Sequence, residues 1–185
     1  MKWQDQHVDL VGTAIRKVTK LGHPVLRAPA RELSPADFRE AAVQRLIDEM
    51  AATMAEYEGV GIAAPQVGED LSLFVMGLEK GSQRHPAGIE LTVVANPKLR
   101  FLGEEKAFEW EGCLSLPGLR GKVPRHLKLE LSGLDYEGRP FTQVYEGFPA
   151  RVVQHETDHL NSRLYVDRMP DLLTFGYVEE HARRP

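Results

Sequence analysis

Apolar side chains recur at helical spacing along the segment that follows Ser34. With Ser34 as N-cap and Pro35 at the first helical position, this spacing predicts an amphipathic helix that ends near Gly59. The residues of its apolar face are Val43, Leu46, Ile47, Met50, Met54 and Tyr57. We interpret this helix as a core element. The stretch before it, up to about Leu33, is expected to be extended and irregular because prolines interrupt it.

Further along the chain, short apolar or alternating segments indicate β-strands. The four clearest segments are residues 71–76, 90–95, 127–131 and 141–145. Residues 127–131 alternate strictly between apolar and polar, as a half-buried strand should, and a turn at 135–138 leads into the partner strand.

Two more helices are expected in the C-terminal part of the chain. One starts near Pro149, and the other runs from about Asp171 to His181. Because strands and helices do not alternate regularly, the order favours an α+β fold. We expect mixed or antiparallel strands packed around a central helix, with an N-terminal helix and a C-terminal helix beside them.

The composition narrows the class of protein. The 185 residues fit a single domain spanning 1–185, and 42% hydrophobic with 27% charged residues is ordinary for a globular protein. A formal net charge of −4 gives no reason to expect a specific nucleic-acid partner. No apolar run suits a signal peptide or a membrane span, and a lone cysteine, Cys113, agrees with a reducing compartment. We therefore expect no membrane partner and a bacterial cytoplasmic location.

The sequence H-E-T-D-H at residues 155–159 is a metal-binding motif. On a helix, residues four apart project from one face, so both imidazoles could bind one ion at about 2.0–2.1 Å. Glu156 lies between them and could take a proton from metal-bound water. The alternative is a chance match. Two observations favour a metal site over a chance match. The motif lies in a predicted helix, which is the structure that brings both histidines to one face, and Phe148 and Val152 add an apolar patch on that face.

A catalytic metal site needs a third protein ligand and an open position for water. The extended metzincin pattern would place a glycine at 162 and a histidine at 165, and Ser162 and Tyr165 exclude that class. Glu179 or Glu180 could complete the site of a zinc endopeptidase. Both could equally be solvated residues at a helix end.

Cys113 is the stronger candidate for the third ligand. Gly112 beside it permits close approach of the backbone, and a thiolate is a good soft ligand. A non-catalytic, metal-stabilised domain is a third alternative, but it would leave Glu156 without a role.

Three segments, in this order along the chain, resemble the motifs of the peptide deformylases. Residues 59–66 resemble G-x-G-x-A-A-x-Q, residues 111–115 resemble E-G-C-L-S, and residues 154–160 resemble Q-H-E-x-D-H-L. Residues 22–27 resemble the opening segment of the family, so the resemblance covers nearly the whole chain. Ser162 is a departure, because the family usually has glycine there, in the turn after the metal helix.

The resemblance implies a hydrolase that removes the formyl group from the N-terminal formylmethionine of new polypeptides and releases formate. Glu156 would be the catalytic base, and Gln66 and the backbone N–H of Leu114 would donate to the oxyanion, a role worth about 2.7–4 kcal/mol per donor. By motif position the metal ligands would be Cys113, His155 and His159. The family usually uses Fe²⁺, although zinc, nickel and cobalt also suit nitrogen and sulfur ligands.

The resemblance also implies where the substrate binds. Gly61 would present its backbone to the peptide, and Arg120 would lie near the substrate chain. The residues that would line a pocket for the methionine side chain, together with His155, are Val60, Phe148 and Val152. A transient ribosome contact is a further hypothesis, for which the mildly basic end at residues 181–184 is the only sequence feature.

Overall fold

The computed structural model describes residues 12–83 and 85–181. Its helices are α1 (Ala41–Glu56), α2 (Phe148–Leu160) and the single turn α3 (Val178–His181). Its strands are β1 (Gly61–Ala63), β2 (Leu73–Leu78), β3 (Ile89–Phe101), β4 (Lys106–Cys113), β5 (Leu116–His126), β6 (Lys128–Leu134), β7 (Pro140–Glu146) and β8 (Gly176–Tyr177). Within the described ranges, no helix is long and apolar enough to cross a membrane.

The strands form two antiparallel sheets. The larger sheet has the order β1-β2-β3-β6-β7, and the smaller has the order β4-β5-β8. Helix α2 contacts strands of both sheets, so the helix that carries the metal motif lies at the centre of the molecule. The predicted α+β fold, with strands packed around this helix, is confirmed.

Apolar burial explains why the two long helices form where they do. In α1, Ile47, Met50 and Met54 are buried against the larger sheet, as their helical spacing predicts. In α2, Ala150 and Val153 pack into a second cluster with apolar residues of β2, β3 and β6. Pro149 occupies the first turn of α2, where its missing N–H costs no hydrogen bond.

The predicted start of the first helix is wrong. The backbone N–H and the hydroxyl of Ser34 both donate to the carboxylate of Asp37, at 2.6 and 2.9 Å, and so form a local turn instead of a helix cap. A short 3-10 helix follows, and the extended backbone at Glu40 (ψ 123°) separates it from α1, which begins at Ala41. At the other end, α1 stops at Glu56, and Glu58, not Gly59, takes the positive φ of 52°.

The predicted long C-terminal helix is also wrong. Gly176 and Tyr177 pair with β5 as strand β8, and helical structure is confined to Val178–His181. Phe175 packs against the small cluster that includes Tyr165, which draws this segment against the smaller sheet. Of the basic end at 181–184, positions 182–184 lie outside the described residues.

The turn after α2 retains its geometry without a glycine. Ser162 adopts a φ of +59°, the N–H of Arg163 donates to the carbonyl of Asp158 at 2.9 Å, and the N–H of Ser162 donates to the carbonyl of His159 at 3.3 Å. These two bonds are the Schellman pattern that usually places glycine at this position. Ser162 therefore bears backbone strain that a glycine would not.

Candidate active site

Two elements bring the candidate metal ligands together. Helix α2 supplies His155 and His159, and Cys113 ends strand β4 at a bulge in its pairing with β5. One ligand atom from each lies within 4.8 Å of the others, and Cys113 Sγ is 3.3 Å from His159 Nε2. Ligands of one tetrahedral ion with nitrogen and sulfur donors are about 3.3–3.6 Å apart. The donor set and the distance between Cys113 and His159 therefore fit a single divalent ion.

Glu111 fixes the orientation of His155. Its Oε2 is 2.9 Å from His155 Nδ1, which leaves Nε2 of that ring to face the metal position. Glu111 is 7% exposed and also accepts hydrogen bonds from two arginines, Arg125 (2.8 and 3.0 Å) and Arg151 (2.7 Å). Burial disfavours its charge, but these partners outweigh burial and hold the pKa of the Glu111 carboxyl well below its usual range.

The two histidines have opposite electrostatic environments. Burial and the neighbouring charge of His155 hold the pKa of His159 well below its usual value, which keeps this ring in the neutral form that binds metals. Burial also opposes a charge on His155, but hydrogen bonds with Cys113 and Glu111 raise its pKa well above the usual value. The carboxylate behind His155 therefore makes that ring the more basic ligand.

Glu156 is buried directly against strand β1. It is 4% exposed, and a Cβ atom added at Gly61 would lie 2.7 Å from the carboxyl carbon of Glu156. Only glycine fits at position 61 without displacing this carboxylate. Burial raises the pKa of the Glu156 carboxyl to about 7, and among the described residues its Oε2 has no hydrogen-bond partner. A carboxyl group with these properties is suited to exchange protons near neutral pH.

Gln66 is held with its amide nitrogen toward the thiol. Its Oε1 accepts the N–H of Ala63 at 2.8 Å, so its Nε2 must point the other way, and it lies 3.4 Å from Cys113 Sγ and 3.3 Å from Ser115 Oγ. Because this side chain is only 1% exposed, the donor is preorganised.

The N-terminal segment supports both predicted oxyanion donors, a feature that the sequence patterns did not indicate. The N–H of Thr19 donates to the carbonyl of Gln66 at 2.8 Å, and Lys20 Nζ donates to the carbonyl of Leu114 at 3.1 Å. The N–H of Leu21 donates to the carbonyl of Ser115 at 2.9 Å. This segment therefore ties the loop of Gln66 to the loop that follows β4.

The predicted substrate residues are only partly brought together. Val60 and Phe148 are partly buried and pack against the same hydrophobic cluster that contains Val152, so these three share one apolar region. Arg120 lies on strand β5, opposite Gly112, and its guanidinium sits 4.7 Å above the ring of Trp110. Arg120 therefore lies on the smaller sheet and is not part of that hydrophobic cluster.

Sequence reasoning missed the charged network behind the site. Arg125 Nη1 is 2.5 Å from Asp158 Oδ2, and Arg168 Nη2 is 2.5 Å from Asp158 Oδ1, so Asp158 joins the network of Glu111. Glu111 and Asp158 both fall inside the quoted motifs, and that position was the available signal for them. Their arginine partners are distant in sequence, so no local pattern points to them.

A thiol and two imidazoles that converge on one point, with a buried carboxylate beside them, define the site of a mononuclear metal-dependent hydrolase. Comparison with known proteins agrees. The profile of the polypeptide deformylase family matches residues 15–174. Peptide deformylase 1 of Bordetella pertussis is 46% identical over 167 residues, which cover 89% of this chain and 93% of that protein. Peptide deformylase 1 of Nitrosomonas europaea is 44% identical over the same shares.

Solved structures give the same result. A class I type b peptide deformylase from Acinetobacter baumannii, crystallised with Met-Ala-Ser, superimposes with a TM-score of 0.79 at 36% identity, over 85% of this chain and 99% of that one. The peptide deformylase of Thermus thermophilus gives a TM-score of 0.74 at 39% identity, over 85% and 87%. The chain therefore belongs to the peptide deformylase family, metal-dependent hydrolases that remove the formyl group from the N-termini of new polypeptides.

The alternative of an endopeptidase with Glu179 or Glu180 as a metal ligand finds no support. Both residues are exposed on the single turn α3. Among the described residues, the group of acids, histidines and cysteine that could hold an ion consists of Cys113, His155 and His159.

Proposed function

We propose that Cys113, His155 and His159 hold a divalent ion, with Fe²⁺ as the metal in the cell, and that the site deformylates N-terminal formylmethionine. The observation that carries this proposal is the convergence of the three ligand atoms within 4.8 Å, beside the buried carboxylate of Glu156. A bound ion would polarise the formyl oxygen and lower the pKa of a coordinated water.

Glu156 is the proposed base and acid. Its pKa near 7 and its unpartnered Oε2 allow it to take a proton from the attacking water and pass that proton to the leaving amine. The bond that breaks joins the formyl carbon to the methionine nitrogen. The products are formate and a free amino terminus.

Gln66 and Leu114 are the proposed oxyanion donors. Gln66 can donate from Nε2 because its Oε1 is already fixed by Ala63, and Leu114 follows Cys113 directly, which brings its backbone N–H close to the thiol. A donor in such a position contributes about 2.7–4 kcal/mol to transition-state stabilisation.

The methionine side chain is proposed to enter the apolar region of Val60, Phe148 and Val152, with Gly61 presenting backbone to the peptide. Val152 lies one helical turn before the first metal ligand on α2, so this region adjoins the site. Arg120 is proposed to contact the substrate beyond its first residue from the smaller sheet. The relative from Acinetobacter baumannii was crystallised with Met-Ala-Ser, a peptide that begins with methionine.

The test compares two single variants and the wild type with formyl-Met-Ala-Ser as substrate. Bound metal and released formate are measured after anaerobic purification, because iron with a thiolate ligand should be sensitive to oxygen. Cys113→Ser should lose both metal and activity, and Glu179→Gln should keep both. Full metal and activity in Cys113→Ser, with loss of both in Glu179→Gln, would overturn the proposed ligand set.

A further inference from the structure

A cleft lies behind the metal helix, on the face of α2 that points away from the proposed metal ligands. It encloses about 350 Å³, within the range of clefts that bind small molecules. Helix α2 lines it with Gln154, Thr157, Asp158 and Asn161, whereas the metal ligands and base are residues 155, 156 and 159. At 100° per residue these two sets occupy opposite faces of the helix.

The charge of this cleft is positive. Lys106, Arg125 and Arg168 line it, and Asp158 is the single carboxylate among its lining residues. The arginines already share Asp158, and Arg125 also binds Glu111. Lys106 is exposed and forms no ion pair with another described residue, so its charge is available to a ligand.

An unpartnered hydroxyl lies in the wall. Thr157 is 7% exposed, and its Oγ1 has no hydrogen-bond partner among the described residues. A buried hydroxyl without a partner is unfavourable, and a ligand oxygen that accepted its hydrogen would satisfy it.

The mouth of the cleft offers a flat apolar surface. The rings of Phe101 and His126 stack with centroids 4.0 Å apart and planes 11° apart, and Phe101 remains 46% exposed. Pro97, Leu99 and Pro124 add further apolar wall. A ligand that fits this cleft therefore combines an anionic group with a flat apolar group.

We propose that this cleft, which we call the rear cleft, binds a small organic anion. The anionic group lies between Lys106 and Arg168 and accepts a hydrogen bond from Thr157, and an aromatic or similarly flat group packs against Phe101. The site is separate from the metal centre, so its occupancy does not depend on deformylase activity.

The probe is phenyl phosphate, titrated by calorimetry into the metal-loaded enzyme and into the enzyme after chelation of the metal. We expect saturable binding in both, because the rear cleft contains no proposed metal ligand. Lys106→Gln and Thr157→Val should each weaken binding about tenfold, because each removes one hydrogen bond to the anion. Lys98→Gln is the matched control, because this exposed lysine lies on β3 between two residues that line the cleft and points to the other face.

Inorganic phosphate is the second probe, and it should bind at least tenfold more weakly than phenyl phosphate because it lacks the ring. Equal binding of the two would refute the contact with Phe101 and the ligand class. Three other results would overturn the proposal: no saturable binding at millimolar concentration, binding unchanged by Lys106→Gln and Thr157→Val, or binding that disappears with the metal.

Discussion

A methyl group added at position 61 probes how tightly the carboxylate of Glu156, the proposed catalytic base, is held. In Gly61→Ala, the new Cβ would lie 2.7 Å from Cδ and 2.8 Å from Cγ of Glu156. Carbon atoms pack at about 3.5–4.0 Å, so the strand or the carboxylate must move by about 1 Å. Glu156 is 4% exposed and has little room to yield. Overpacking of this kind costs about 1–3 kcal/mol of stability, and a 1 Å displacement of a catalytic group costs roughly 10²-fold in rate.

The assay measures formate release, bound metal and urea unfolding on the same preparations. Gly61→Ala should keep its metal, because the three atoms nearest to the new Cβ all belong to Glu156, which is not a proposed ligand, while kcat falls about 100-fold. Gly112→Ala is the stability control, since its Cβ would meet only Leu119 O, at 3.5 Å. In a Glu156→Asp background the stability cost of the alanine should shrink, because the shorter side chain relieves the contact.

Wild-type rate and stability in Gly61→Ala would refute the close packing of β1 on Glu156. If Gly61→Ala destabilises the Glu156→Asp protein as much as it destabilises the wild type, the steric clash is not with Glu156.

Three further predictions concern the surroundings of the site. Ser162→Gly should raise the free energy of unfolding by about 0.5–1 kcal/mol in denaturant titrations, because glycine adopts the φ of +59° without backbone strain. An unchanged free energy of unfolding would mean that the turn is unstrained. Glu111→Gln should weaken metal binding about 10–100-fold in competition with a chelator, because an amide orients the ring of His155 less well than a carboxylate does. An unchanged metal affinity would contradict the role of Glu111 in orienting His155. In the metal-free protein, the pKa of the Glu156 carboxyl is raised from 4.5 to about 7. Between pH 4.5 and pH 7 the folded state therefore binds more protons than the unfolded state. The free energy of unfolding should therefore fall as pH rises from about 4.5 to 7, by about 3 kcal/mol more in the wild type than in Glu156→Gln. Urea titrations of both proteins across this pH range measure the effect. A wild-type minus variant difference that stays constant with pH would contradict the raised pKa.

The elements with a strong periodic pattern were predictable from sequence. The metal helix starts at Phe148, next to the proline that predicted it, and the strand pair at 127–131 and 141–145 occurs as β6 and β7. In α2 and β6 the apolar positions match the buried face, so pattern and packing agree.

Strands β4 and β5 had no such pattern. Phe108 and Trp110 are exposed on β4 although they are large and apolar, which removes the usual alternation between buried apolar and exposed polar positions. The hydrophobic pattern therefore predicts no strand around Cys113, whereas this residue ends β4. The bulge there aims the thiol at α2, and only the pairing with β5 produces it.

The residues proposed to react or to bind metal were easier to predict than the residues that hold them in place. Local motifs were enough to predict the proposed ligands His155 and His159 and the proposed base Glu156, because a helix brings residues four apart together. They do not identify Arg125 or Arg151, which reach Glu111 across 14 and 40 residues of sequence. Such long-range partners depend on how α2 and the smaller sheet pack together, which the sequence of one chain does not reveal.

The most direct test of the central claim is to measure bound metal and formate release together in Glu156→Gln. If Glu156 is the base and not a ligand, the variant should bind one ion per chain as the wild type does. Its formate release from formyl-Met-Ala-Ser should fall by about 10²–10⁴-fold, the usual contribution of a general base. Wild-type turnover, or loss of the metal together with activity, would contradict the account.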